Sequence, residues 1–212
     1  MTRTIALGVN YALALEEASN VIQGGGVIVY PTETLYGIGA DALNATAVQK
    51  VLAAKKRKDD KPLLAIVHSR EMLCRIAASI PETAERLMEA FWPGPLTLIF
   101  VASADVPKEL TQSTGTIGVR IPSHRFCLDL AERCGCPITS TSANISGEPV
   151  HRTIEEIRQA LNEGIDLFVD AGTLPESKPS TVVSVVHDPP RLLREGVIDL
   201  DRLRTVLPTI QR

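Results

Sequence analysis

Strand-length runs of β-branched and aliphatic residues alternate with helix-period segments along almost the whole chain, and that alternation commits it to an α/β fold. Residues 11–23 (YALALEEASNVIQ) repeat apolar side chains at helical spacing and run into Gly24-Gly25-Gly26, which can supply a left-handed C-terminal cap. The segment GVIVYP reads as a buried strand closed by Pro31, and residues 45–55 as an alanine-rich helix with Asn44 at its N-cap. Residues 63–67 form the next strand, helices start near Ser69 and Pro81, and the turn Trp92-Pro93-Gly94-Pro95 leads into the strand LTLIFVA. IGVRIP is a strand, 124–134 a helix and PITSTS a strand. Thr153 with Glu156 makes a capping box for a helix ending at Gly164. DLFVD, STVVSVV and RLLRE are three further strands, and 199–206 is a last helix. Strands clustered near the C-terminus make the sheet mixed instead of purely parallel. A doubly wound nucleotide fold is the generic form of this pattern, but the first strand leads into PTETLYG and not into GxGxxG, and no Walker A pattern occurs.

At 212 residues the chain suits one domain, with a core at about 12–198 and a short C-terminal helix after it, and folding buries roughly 70% of the surface the unfolded chain exposes. The apolar stretches are strand-sized and fall short of the ~20 residues that span a bilayer. The N-terminus MTRTIALGVN lacks the basic-then-apolar order of a signal peptide, so the cytoplasm is the expected compartment and no membrane partner is expected. A formal net charge of -3 means that any nucleotide or nucleic acid must be held by a local basic cluster. Cys74, Cys127, Cys134 and Cys136 have no CxxC spacing; Cys134-Gly135-Cys136 with an unassigned histidine falls short of a closed zinc site, so buried free thiols and no bound metal are the expectation.

Five segments place hydroxyls, glycines and single cations at strand ends or in loops, where a rigid scaffold usually carries its binding groups. Pro31-Thr32-Glu33-Thr34-Leu35-Tyr36-Gly37-Ile38-Gly39 sets hydroxyls and a carboxylate at the exit of a buried strand, as either a ligand contact or a plain turn. Lys55-Lys56-Arg57-Lys58-Asp59-Asp60-Lys61-Pro62 ends a helix in cations, as a solvated cap or as an anion trap. In Thr114–Pro122 the apolar strand is interrupted by Arg120, whose burial needs an anion, either from a ligand or from an internal Asp or Glu. Ser140-Thr141-Ser142-Ala143-Asn144-Ile145-Ser146-Gly147 offers many donors without charge, which suits phosphate oxygens or a ribose. Ser180-Thr181 and Arg194-Glu195-Gly196 add a hydroxyl pair and another arginine, which pairs with a ligand or with a neighbour such as Glu195. No GxSxG elbow occurs, and no serine nucleophile is proposed.

In order, PTETLYGIGADA, Lys55 and Arg57 followed by KPL, WPGPLTL, TIGVRIP, TSANISG, STVV and LLREG resemble the motifs of the YrdC family of threonylcarbamoyl-AMP synthases, from about Gly25 to Gly196. The resemblance implies a twisted, open, mixed α/β sheet with flanking helices, and a reaction of L-threonine, bicarbonate and ATP, with Mg²⁺, that yields threonylcarbamoyl-AMP and pyrophosphate for tRNA modification. By motif position it implies that Thr34, Lys61, Arg120 and Ser180 contact threonine. It likewise assigns Lys55, Arg57, Thr116, Ser140, Ser142, Asn144 and Arg194 to ATP, with Lys55, Arg57 and Arg194 as the catalytic cations. Lys61 stands where the family varies. A downstream threonylcarbamoyl transferase complex is the implied partner. The intact Ser142-Ala143-Asn144 favours the synthase branch, and an end soon after Gly196 matches the short form. Catalysis by orientation and charge neutralisation, without a covalent enzyme intermediate, is expected. The rival reading is a YrdC-like module that binds tRNA or double-stranded RNA without chemistry. Carbamoyl transfer from another donor is a third, against which the length of the chain counts.

Overall fold

The computed structural model describes residues 3–57, 62–161 and 163–212. An exposed strand β1 (Arg3–Ala6) precedes α1 (Tyr11–Gln23), whose N-cap Asn10 accepts a bond from the Leu13 amide and whose C-terminus is closed by Gly24 and a left-handed Gly25. A hairpin of β2 (Ile28–Pro31) and β3 (Tyr36–Gly39) leads to α2 (Ala45–Ala54), capped by Asn44, then to β4 (Leu64–Ile66), α3 (Arg70–Ile76) and α4 (Glu82–Phe91). Next come β5 (Leu96–Val101), α5 (Lys108–Thr111), β6 (Thr116–Arg120), α6 (Arg125–Cys134), β7 (Ile138–Thr139) and β8 (Thr141–Ser142). The chain closes with α7 (Ile154–Ala160), β9 (Leu167–Asp170), β10 (Thr181–Ser184), β11 (Arg191–Arg194) and α8 (Leu200–Val206).

The α/β class with mixed pairing holds, and the strands divide between two mixed sheets, ordered β1-β9-β2-β3-β8 and β11-β10-β5-β6-β4-β7. The division turns on PITSTS, expected as one strand. The Ser140 amide donates to Leu64 O, which breaks the run so that β7 pairs with β4 in the second sheet and β8 with β3 in the first. Thr139 stitches the joint: its hydroxyl donates to Ile38 O and accepts from the Ala40 amide, and Tyr30 Oη donates to Thr139 O at 3.1 Å.

The larger apolar cluster draws on both sheets, with Val29, Ile38 and Phe168 from the first and Leu98, Phe100, Val119 and Val183 from the second. A smaller one packs α1 and α6 on the other face of the first sheet, through Ala18, Ile22, Phe126 and Leu130 against Ile28, Tyr30 and Val169. The capping box forms as read, with Glu156 accepting from the Thr153 amide, but α7 ends at Ala160 because Leu161 leaves helical geometry. β1 and α5 are too short to show a period and carried no expectation. Cys74 is exposed, contrary to the expectation of burial, because it lies on the solvent side of a two-turn helix; Cys127 is buried, and Cys134 and Cys136 are half-buried. Among the described residues no helix is long and apolar enough to cross a membrane.

Candidate functional site

Where the two sheets meet, a cavity of about 240 Å³ opens. The first sheet supplies Thr32, Thr34, Leu35, Tyr36 and Gly37 from the β2–β3 hairpin, with Thr141 and Ser142 of β8. The second supplies Leu64, Arg120, Ser180 and Arg194 from strand ends, and Ser140 sits at the joint. Val150, Ser177 and Pro179 reach the rim from two irregular segments. Alternation places Arg120 on the site face of β6 while Ile117 and Val119 face the core, so one strand builds both wall and interior.

The hairpin turn is rigid because Thr32 Oγ1 accepts from the amides of Thr34 and Leu35 and donates to Leu35 O at 2.7 Å. Thr34 Oγ1 lies 3.1 Å from Thr32 Oγ1. On the opposite wall Ser180 Oγ pairs with Thr97 Oγ1 at 2.9 Å and accepts from Arg194 Nη2 at 3.2 Å. Arg194 also donates to Ser180 O through Nε and Nη2. Among the described residues no carboxylate lies within 4.0 Å of its guanidinium, since Glu195 turns to Arg212. Burial, and then the neighbouring charge of Arg120, lowers the Arg194 pKa: this cation is desolvated and repelled, and the attraction of an entering anion would offset both costs. Of the two alternatives left open for Arg120, the internal one is realised, with Glu33 at 2.6 Å, and the guanidinium also lines the cavity.

Lys55 and Asn144 are used inside the wall. Lys55 is 3% exposed, and its ammonium donates to Ser142 O at 2.6 Å and Asn144 O at 2.7 Å. Of the two readings open for this helix end, the solvated cap does not describe Lys55: it is a buried strut, because the 142–144 backbone wraps over the end of α2. Asn144 Oδ1 accepts from Ser142 Oγ at 2.6 Å, and its Nδ2 donates to Ile145 O and Glu148 O. Lys55→Met is expected to leave the Asn144 carbonyl short of a donor, while Ser142 O keeps the Asn144 amide, costing about 2 kcal/mol in denaturant unfolding and loosening the serine-bearing wall. Arg57 is not on the cavity wall. Thr116 shares the site face of β6 with Arg120 but stands about 13 Å up the strand, its hydroxyl 2.9 Å from Thr114 Oγ1. Lys61 lies outside the described residues.

Sequence reading missed Val150, Ser177 and Pro179, which sit in segments without periodicity, and His124. The loop carrying Ser177 is anchored by Tyr36, whose phenol donates to Gly172 O at 2.7 Å and accepts from the Ala171 amide; burial pushes it up to about 12. His124 Nδ1 is buried without a hydrogen-bond partner among the described residues, and burial, partly opposed by Glu33, lowers its pKa from 6.5. The unfolded chain thus takes a proton near pH 6.5 that the folded chain resists, and this contribution to stability, complete above that pH, is lost as pH falls below it. Denaturant unfolding on either side of pH 6.5 is expected to show a slope that His124→Gln reduces.

The model of the Sua5/YciO/YrdC family, described as telomere recombination, matches residues 20–196. The chain belongs to this family. Among curated Sua5/YciO/YrdC relatives, a threonylcarbamoyl-AMP synthase of Pyrococcus abyssi is 39% identical over 92% of this chain and 57% of its own length. A putative threonylcarbamoyl-AMP synthase of Mycobacterium tuberculosis (strain CDC 1551 / Oshkosh) is 36% identical over 90% of this chain and 87% of its own. The crystal structure of P. abyssi Sua5 complexed with L-threonine superposes with a TM-score of 0.91 at 36% identity, covering 100% of this chain and 62% of that one. The chain therefore spans about three fifths of the Pyrococcus relative and most of the mycobacterial one.

Proposed function

We propose that this chain is an L-threonylcarbamoyladenylate synthase, making threonylcarbamoyl-AMP and pyrophosphate from L-threonine, bicarbonate and ATP. The observation that carries this reading is Arg194, a desolvated guanidinium beside Arg120 in a hydroxyl-lined cavity, with no carboxylate in reach among the described residues. Two cations on one wall are an unfavourable resting arrangement that anionic reactants relieve. Relatives named as synthases, and one structure holding L-threonine, give those reactants their identity.

N-carboxylated threonine is an anion that must reach an anionic α-phosphate; the carbamate oxygen bonds to phosphorus as the bond to the β-phosphate oxygen breaks, and pyrophosphate leaves. Arg120, Thr34 and Ser180 hold the amino acid. Arg194, Ser140 and Ser142 face the nucleotide, with Lys55 and Asn144 holding that wall in shape, so the chain supplies position and fixed positive charge. Roles for Arg57, Lys61 and Thr116 rest on the family motif alone. Among the described residues no carboxylate lines the cavity, so Mg²⁺ would enter on the phosphates and not in a protein cage. The product passes to a threonylcarbamoyl transferase complex acting on tRNA in the cytoplasm.

Purified protein is expected to release pyrophosphate from ATP only when threonine and bicarbonate are both present. No release, with serine and other amino acids no better, defeats this reading; salt-dependent RNA binding in such a protein would put the RNA module in its place.

A further inference from the structure

Glu33 stands behind the cavity wall, not in it, and touches Arg120 by one edge, Nη1 to Oε1 at 2.6 Å, with side chains 7% and 16% exposed. A carboxylate placed only to neutralise an arginine gains most from a two-point fork. Here the fork is not formed: Glu33 Oε2 is buried with no hydrogen-bond partner among the described residues, an unfavourable state for a carboxylate oxygen. The stapled Thr32–Leu35 turn fixes the backbone from which Glu33 projects. What the one-edge contact leaves is the rest of the Arg120 guanidinium, facing the cavity.

On the functional reading above, we propose that Glu33 is the positioning residue for Arg120: it grips one edge of the guanidinium from behind the wall so that the other edge meets the carboxylate of the amino acid substrate. Charge neutralisation alone would be satisfied by any nearby carboxylate. Orientation requires this side-chain length at this turn.

The test compares steady-state kinetics of Glu33→Asp, Glu33→Gln, Arg120→Gln and the double variant Glu33→Gln/Arg120→Gln, with melting temperatures recorded for each. Glu33→Asp keeps the charge but withdraws it by one methylene. Both Glu33 variants are expected to raise the KM for threonine about tenfold, with the KM for ATP within about twofold of wild type. In the Arg120→Gln background, where both buried charges are gone and folding is least at risk, Glu33→Gln is expected to change the threonine KM no further. An unchanged threonine KM in Glu33→Asp, a parallel rise in the KM for ATP, or a full Glu33→Gln effect in the Arg120→Gln background each overturns the proposal. If the wild type releases no pyrophosphate at all, the synthase reading is what has failed, and the proposal falls with it.

Discussion

Gly196→Ala is expected to lower the melting temperature by about 10 °C and to abolish amino acid binding in whatever fraction stays folded. The residue crosses the strand that carries Ser180, and a Cβ built there would lie 2.1 Å from Pro179 O and 2.7 Å from both Ser180 C and Thr181 N. None of these is a flexible side-chain end, so relief requires the two backbones to separate. Separation strains the bonds that lock the crossing: Thr181 Oγ1 accepts from the amides of Gly196 and Ile198 at 3.0 Å and donates to Ile198 O at 2.5 Å. Overpacking plus the weakened buried hydrogen bonds amounts to about 4 kcal/mol. Thermal melting checks the stability, and calorimetry with threonine checks the site, since Ser180 and Arg194 sit on the two sides of this crossing.

Arg194→Ala is expected to cut turnover by about 100- to 1,000-fold with the fold intact. Truncation removes the desolvated cation from the cavity wall and frees Ser180, whose hydroxyl keeps Thr97 as a partner. No carboxylate loses a partner among the described residues, and the loss of both guanidinium donors at the Ser180 carbonyl costs about 1 kcal/mol of stability, too little to unfold the chain. Circular dichroism melting together with pyrophosphate release separates the two effects. Unchanged turnover would remove Arg194 from the mechanism.

Local features were legible in the residues. Asn44, Ser69 and the Thr153–Glu156 box cap helices because short polar side chains ahead of an apolar period have one good use. The division into two sheets was not, because Thr139, Ser140 and Thr141 look like one β-branched strand and only the Ser140–Leu64 bond reveals the break. Arg120 announced itself as a cation in an apolar strand, yet its partner is 87 residues away, and no local pattern links them. A cation at a helix C-terminus suits a solvated cap or an anion site equally, so the residues alone do not show Lys55 buried; its burial follows from a loop 87 residues further on. The rim residues Val150, Ser177 and Pro179 lie in irregular segments whose path is set by anchors such as Tyr36 and so could not be read ahead of the fold.

A crystal structure with L-threonine and a non-hydrolysable ATP analogue tests most directly whether the hollow between the two sheets is where the reactants meet. The expected density has the threonine carboxylate on Arg120 beside Thr34 and Ser180, and phosphate oxygens within hydrogen-bonding distance of Arg194. Both ligands seated elsewhere, with Arg120 and Arg194 touching neither, would contradict the central claim.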